Sequence, residues 1–155
     1  ERQRVGLARI LSAEPELLIL DEPFSAQDPE SQKSFLDLFK KIKNELDITI
    51  ICISHDINLL KQFADNIIVL FAGKIMEIGN VEKIINNHRH PYTKFLLDAF
   101  NYNLKRSDFK VDSKYTTGID GCSYYGRCDR KSEKCLTSVE EITTNVLKTY
   151  CNHPF

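Results

Sequence analysis

Two apolar runs in this sequence end in polar residues of the kind that handle phosphate. Leu17-Leu18-Ile19-Leu20 leads into Asp21-Glu22, and residues 48–53 lead into Ser54-His55-Asp56. Cleaving a phosphoanhydride needs a magnesium ion across the terminal phosphates and a group that orients or deprotonates the attacking water. Magnesium prefers carboxylate and water oxygens. A carboxylate at the end of a buried strand is held rigidly where open α/β sheets bind ligands. On this reading Asp21 serves the metal shell and Glu22 faces the water. A ring nitrogen of His55 suits a hydrogen bond to a phosphate oxygen. Taken singly these features are weak, since a solvated strand end or a capping histidine would look the same. In a parallel sheet both groups emerge at one edge, and that pairing favours the functional reading.

A second constellation lies further along. Of five cysteines, Cys52 stands alone in an apolar run, where a small buried hydrophobe is expected. Cys122, Cys128, Cys135 and Cys151 fall in the last quarter, separated by five, six and fifteen residues. Four thiolates in one small region suit a structural zinc or an iron–sulfur cluster. The gaps are longer than those of zinc knuckles. Unligated or disulfide-linked cysteines are the third reading. His88 and His90 also invite a metal reading, but Pro91 directly after His90 fits a helix start, and a structural role is preferred.

Strands and helices in alternation must position these groups. Val5, Ala8 and Leu11 recur at helical spacing over residues 2–13, with Leu7 and Ile10 beside them, until Pro15 ends the pattern. Residues 17–20 and 48–53 are continuous apolar runs, as in strands buried on both faces. Asp28-Pro29 reads as an N-cap followed by proline at the first helical position. Phe35, Leu38, Phe39, Ile42 and Leu46 mark one face of the helix behind it. Another helix carries Ile57, Leu60, Phe63 and Ala64. Residues 67–71 and 74–78 flank Ala72-Gly73, a hairpin with a two-residue turn. Short helices follow over residues 81–87 and 91–100, and residues 101–117 are a polar, lysine-rich linker. The expected fold class is α/β: a parallel sheet with flanking helices over residues 1–87, then an extension over residues 88–155 ending in a small irregular cysteine-rich tail.

The 155 residues amount to about one domain. With 21 basic against 22 acidic residues there is no basic excess, which argues against a nucleic-acid partner. The longest apolar runs are far too short to span a bilayer, so any work at a membrane goes through a partner. The chain opens at Glu1 within a helical pattern and reads as a fragment.

Four segments, in order, resemble the ABC ATPases. LLILDEPFSAQD is similar to their Walker B segment and D-loop, and SHD to their switch-histidine segment. ERQRVGLARIL resembles the stretch after their signature motif, and ADNIIVLFAGKIMEIG the hairpin after the switch histidine. The resemblance implies the C-terminal part of a P-loop NTPase sheet. It implies that Asp21 helps hold magnesium and that Glu22 is the general base or water positioner. It further implies that His55 contacts the γ-phosphate of ATP and that Ser25 and Asp28 lie in the loop crossing the ATPase dimer interface. Phe24 and Gln27 depart from the commonest D-loop wording, which has Thr and Leu, and Glu1 stands where many members carry Gln. HRHPYTKFLLDAF and GCSYYGRC, with Cys135, Cys151 and His153, resemble the C-terminal extension of oligopeptide, dipeptide and nickel importer ATPases. That likeness implies a 4Fe–4S cluster in some relatives, which places a cluster ahead of zinc for the four cysteines.

The function implied is ATP hydrolysis that energises import of peptides or nickel. The implied partners are a second ATPase subunit, permease subunits and an extracytoplasmic binding protein. The implied location is the cytoplasmic face of the plasma membrane, reached through the permease. The chain holds no GxxxxGK[ST] phosphate loop, so these residues alone are expected neither to bind ATP tightly nor to turn it over. Two other readings compete: a non-transport ABC ATPase of DNA repair or translation, and a non-catalytic metal-binding remnant. The tail from His90 onward speaks against the first of these.

Overall fold

The structure is a computed structural model that describes residues 2–25, 27–105, 108 and 120–155, with side chains from Val5 onward. Glu1 and most of the expected linker lie outside the described residues. The chain forms two compact units, Glu1–Phe63 and Ala64–Phe155. The hairpin, grouped from sequence with the ATPase part, clusters with the C-terminal segment.

The first unit runs α1 (Arg2–Leu11), β1 (Leu17–Asp21), α2 (Pro29–Glu45), β2 (Thr49–Ile53) and α3 (Ile57–Leu60). β1 and β2 pair in parallel, from Leu17 opposite Thr49 to Asp21 opposite Ile53. That register puts both strand ends at one edge. α2 starts where Asp28 caps it, its Oδ1 accepting from Ser31 N–H at 3.0 Å, with Pro29 at the first turn. Its apolar face buries Phe35, Leu36, Phe39 and Ile42. Phe24, Phe35, Phe39 and Phe63 meet there, with ring centroids 4.9 to 6.1 Å apart. Burying such a ring fully contributes up to about 3 kcal/mol. Asp56 caps α3 through Asn58 N–H and Leu59 N–H, and the helix is a single turn, shorter than its apolar spacing suggests.

The expectation that both strands are buried on two faces needs correction. Leu18 is buried, but Leu17, Ile19, Ile51 and Ile53 stay exposed. A strand is covered on both faces only when a layer packs on each, and here the helices of the unit cover one.

The second unit holds β3 (Asn66–Phe71), β4 (Lys74–Asn80), α4 (Val81–Asn87), α5 (Pro91–Phe100), β5 (Glu141–Thr143) and β6 (Leu147–Tyr150). β3 and β4 form the expected hairpin. Ala72 and Gly73 both take positive φ, 48° and 76°, as a tight two-residue turn matched to strand twist requires. Asn80 and His90 cap α4 and α5; His90 Nδ1 accepts from Tyr92 N–H at 3.0 Å.

The tail is not an irregular appendage. β6 pairs antiparallel with β4, and β5 with β6, giving one sheet of order β3-β4-β6-β5. Cys122, Tyr124, Tyr125, Cys135 and Leu147 from the tail share a core with Val69, Met76 and Ile84. Strand–strand hydrogen bonding across nearly seventy residues has no local signature, so the polar turn residues hid it.

Glu77 clasps this unit. Its carboxylate is fully buried in β4. It accepts from Arg89 N–H at 2.7 Å, His90 N–H at 3.3 Å and the Thr149 hydroxyl at 3.0 Å. One side chain thereby ties the start of α5 and strand β6 to the hairpin.

Candidate functional site

The rim of the parallel pair carries the first site. Glu22 follows Asp21 directly and turns the chain out of β1. Its N–H still bonds the Ile53 carbonyl at 2.9 Å, and its φ is 46°. A left-handed backbone at a residue with a side chain costs about 1–2 kcal/mol and persists only where neighbours hold it. Ser25 does so: its N–H and hydroxyl both donate to the Glu22 carbonyl, at 3.1 and 2.8 Å.

That bend delivers Glu22 Oε1 to His55. The oxygen accepts from His55 N–H at 3.1 Å and lies 2.9 Å from His55 Nδ1. The bond to the carboxylate raises the His55 pKa above its ordinary 6.5, and the charge of Glu22 adds to it. The His55 side chain is 82% exposed, so its other ring nitrogen faces solvent. Asp21, the last residue of β1, is exposed beside Glu22. The structure thus brings Asp21, Glu22 and His55 to one rim. Asp28 is engaged instead as the cap of α2, and the Ser31 bond lowers its pKa. Phe24 is buried in the aromatic core, so its departure from the family wording serves packing.

Three of the tail cysteines, Cys122, Cys128 and Cys135, share the core of the second unit. Gly121 N–H bonds the Leu136 carbonyl and Cys122 N–H the Cys135 carbonyl, at 3.0 and 2.8 Å. A Cβ at Gly121 would sit 2.1 Å from the Cys135 carbonyl oxygen, so glycine permits this approach. The thiols lie near enough to raise one another's pKa, Cys135 acting on Cys122, Cys122 and Cys151 on Cys128, and Cys122 and Cys135 on Cys151. Burial is the larger cause and pushes Cys128 up to about 11. Backbone N–H groups of Tyr124, Arg130 and His153 oppose it by bonding Cys122, Cys128 and Cys151. All five cysteines are free thiols. Cys52 is half-buried in β2, its thiol pushed up to about 11 by burial first and Glu22 second. Among the described residues no three His, Cys, Asp or Glu side chains stand where they could hold a metal ion.

A family profile described as the C-terminal region of oligopeptide/dipeptide transporters matches residues 76–135. The dipeptide transport ATP-binding protein DppF of Haemophilus influenzae is 36% identical over 141 residues, covering 87% of this chain and 43% of DppF. The oligopeptide transport ATP-binding protein AppF of Bacillus subtilis is 32% identical over 150 residues, 92% of this chain and 46% of AppF. The chain is similar to the C-terminal part of ATP-binding proteins of oligopeptide/dipeptide-type ABC transporters.

The chain spans less than half the length of the curated relatives it matches. It also resembles solved structures. cbiO1 from Clostridium perfringens, part of the ABC transporter complex cbiONQ, gives a TM-score of 0.51 at 33% identity, over 67% of this chain and 39% of that one. An ABC transporter in an inward-facing conformation gives 0.54 at 17% identity over 99% of this chain and 46% of its own, a likeness of fold alone. No helix among the described residues is long and apolar enough to cross a membrane.

Sequence reasoning missed Glu77, which reads in the sequence as one of several polar residues in a hairpin strand.

Proposed function

We propose that this chain is part of an ATPase subunit that energises peptide import, with Glu22 positioning the attacking water and His55 contacting the γ-phosphate of ATP. The observation that carries the reading is the meeting of Glu22 Oε1 and His55 Nδ1 at 2.9 Å, on the rim shared by two parallel strands. The exposed Asp21 carboxylate would hold magnesium, which when bound would supply charge neutralisation at the terminal phosphates. His55 Nδ1 lies against the Glu22 carboxylate. A phosphate oxygen offers the imidazole a competing acceptor, which leaves Glu22 to accept a proton or hydrogen bond from water. Hydrolysis then breaks the bond from the γ-phosphorus to the bridging oxygen and forms one to the water oxygen, yielding ADP and inorganic phosphate. Ser25 and Asp28 belong to the loop that meets a second ATPase subunit. Permease subunits and an extracytoplasmic binding protein complete the machine at the cytoplasmic face of the membrane.

The test is the ATPase rate of the full-length protein assembled with its permease, as wild type and as Glu22→Gln. Losing the base is expected to lower kcat by about 100-fold or more with little change in nucleotide binding. A Glu22→Gln protein that turns over at the wild-type rate would refute the assignment. Peptide is preferred over nickel as cargo because the named relatives DppF and AppF transport dipeptides and oligopeptides. Uptake of radiolabelled dipeptide against labelled nickel, in cells with and without the gene, separates the two.

For the four tail cysteines, a structural 4Fe–4S cluster ranks ahead of zinc. Cys122, Cys135 and Cys151 are buried and Cys128 half-buried in one small region, and four thiolates suit a cluster. When bound it cross-links four points of the tail. Visible absorbance after anaerobic purification supports this; a colourless zinc-bearing protein reverses it.

A further inference from the structure

Three consecutive carbonyls, starting at Glu22, are each held by a side chain. Ser25 Oγ donates to the Glu22 carbonyl at 2.8 Å, Gln27 Nε2 to the Pro23 carbonyl at 3.0 Å and Gln32 Nε2 to the Phe24 carbonyl at 3.2 Å. On the strand side, Glu22 N–H bonds the Ile53 carbonyl at 2.9 Å. A peptide unit is planar, so fixing its carbonyl or its N–H fixes the dihedrals that flank it. Every peptide plane from Asp21–Glu22 to Phe24–Ser25 is therefore pinned. The bend they enclose carries Glu22 at φ 46°, a conformation that persists only where its surroundings hold it.

Gln32 lies near the start of α2 and reaches back eight residues to the loop. Its own N–H bonds the Asp28 carbonyl at 2.9 Å, and Asp28 caps the helix. That helix is a rigid mount, because Phe35, Leu36, Phe39 and Ile42 bury its inner face. The Phe24 ring packs on Phe35 and Phe39 of the same helix, with centroids 6.1 and 5.6 Å apart. α2 thus holds Phe24 by its ring and by its carbonyl. Phe24 and Gln27 are also the two departures from the commonest D-loop wording. Here each anchors the loop, the ring in the core and the amide on the Pro23 carbonyl. Both glutamine amides have one satisfactory orientation, since a flipped amide would set oxygen against oxygen.

We infer that Gln27 and Gln32 are positioning residues that hold the bend at Glu22 and so aim its carboxylate at the attacking water. The inference rests on the role proposed above for Glu22. Both residues act through the loop backbone. Mounting a reacting group on a rigid helix gives it a more precise placement than a free loop does. Misplacing such a group by about 1 Å can cost about 100-fold in rate.

The test compares wild type, Gln32→Leu and the double variant Gln27→Leu with Gln32→Leu. Leucine has nearly the helix propensity of glutamine, so the change removes the amide and leaves α2 intact. ATP turnover is read on the full-length protein assembled with its permease, and the NMR titration of the His55 ring on the full-length protein. The double variant is expected to lower kcat on the order of tenfold with the KM for ATP unchanged. Its His55 titration, raised by the Glu22 contact, is expected to move toward the ordinary 6.5. Gln32→Leu is expected to do the same by less. Turnover at the wild-type rate, in a protein that Glu22→Gln inactivates, overturns the roles of both glutamines and leaves Glu22 standing. A fall in kcat with an unmoved His55 titration overturns them too, since the loss would not run through Glu22. A Glu22→Gln protein that turns over like wild type removes the base and this inference with it. Should the double variant fail to fold, Gln32→Leu carries the test alone, and an unchanged kcat overturns the inference.

Discussion

At the scale of single residues, the meeting of Glu22 and His55 makes a prediction about protons. The carboxylate favours imidazolium, so the folded His55 pKa lies above the ordinary 6.5. Whatever this pair contributes is fully present below 6.5 and is lost as pH rises through the folded value. Glu22→Gln removes the charge, and NMR titration of the His55 ring is expected to return toward 6.5. A titration that does not move would mean that the contact is not populated. Glu77 makes a second prediction. Glu77→Ala strands buried N–H groups of Arg89 and His90, each costing about 1–3 kcal/mol when unpaired. Urea melts should show a loss of a few kcal/mol; an unchanged midpoint would remove Glu77 as the clasp. The first site was legible because its residues end recognisable runs. Glu77 was not, since what a buried carboxylate bonds depends on which distant backbone reaches it.

At the scale of elements, the caps carry the sequence signal faithfully. Asp28, Asp56, Asn80 and His90 each accept a hydrogen bond from the first turn of the helix behind them. The β1–β2 pair makes the next prediction. Ile19 at 61% and Ile51 at 48% exposure sit opposite each other in register on an open apolar face. Such faces drive association. In the 155-residue chain, Ile19→Thr with Ile51→Thr is expected to reduce light scattering on concentration without loss of helix signal. Equal scattering would show that the face is not what sticks. Periodicity read the strands correctly but not their cover, because a continuous apolar run looks the same whether one or two layers pack on it.

At the scale of the whole molecule, His90 links pH to stability. Its Nδ1 accepts from the α5 backbone, so its proton sits on Nε2, which is buried and finds no partner among the described residues. Burial lowers its pKa from 6.5 to about 4. The unfolded chain therefore binds a proton in that window and the folded chain does not. Stability is full above about pH 6.5 and falls as pH drops toward 4, by on the order of 3 kcal/mol. Thermal melts across this range should be flatter for His90→Asn, which retains a capping side chain. Parallel curves for the two proteins would rule His90 out as the cause.

Local order determined much of this protein. Strand ends bearing Asp21, Glu22 and His55, the two-residue turn at Ala72-Gly73 and the helix starts are all short-range features, set by side-chain type and backbone sterics within a few residues. Tertiary structure alone decided that β6 joins β4, that Glu77 holds α5, that Phe24 is core and that Asn152 reaches Cys135. Each of these joins residues far apart in the chain, and hydrogen-bonding capacity does not reveal its partner until the fold brings the two within about 3 Å.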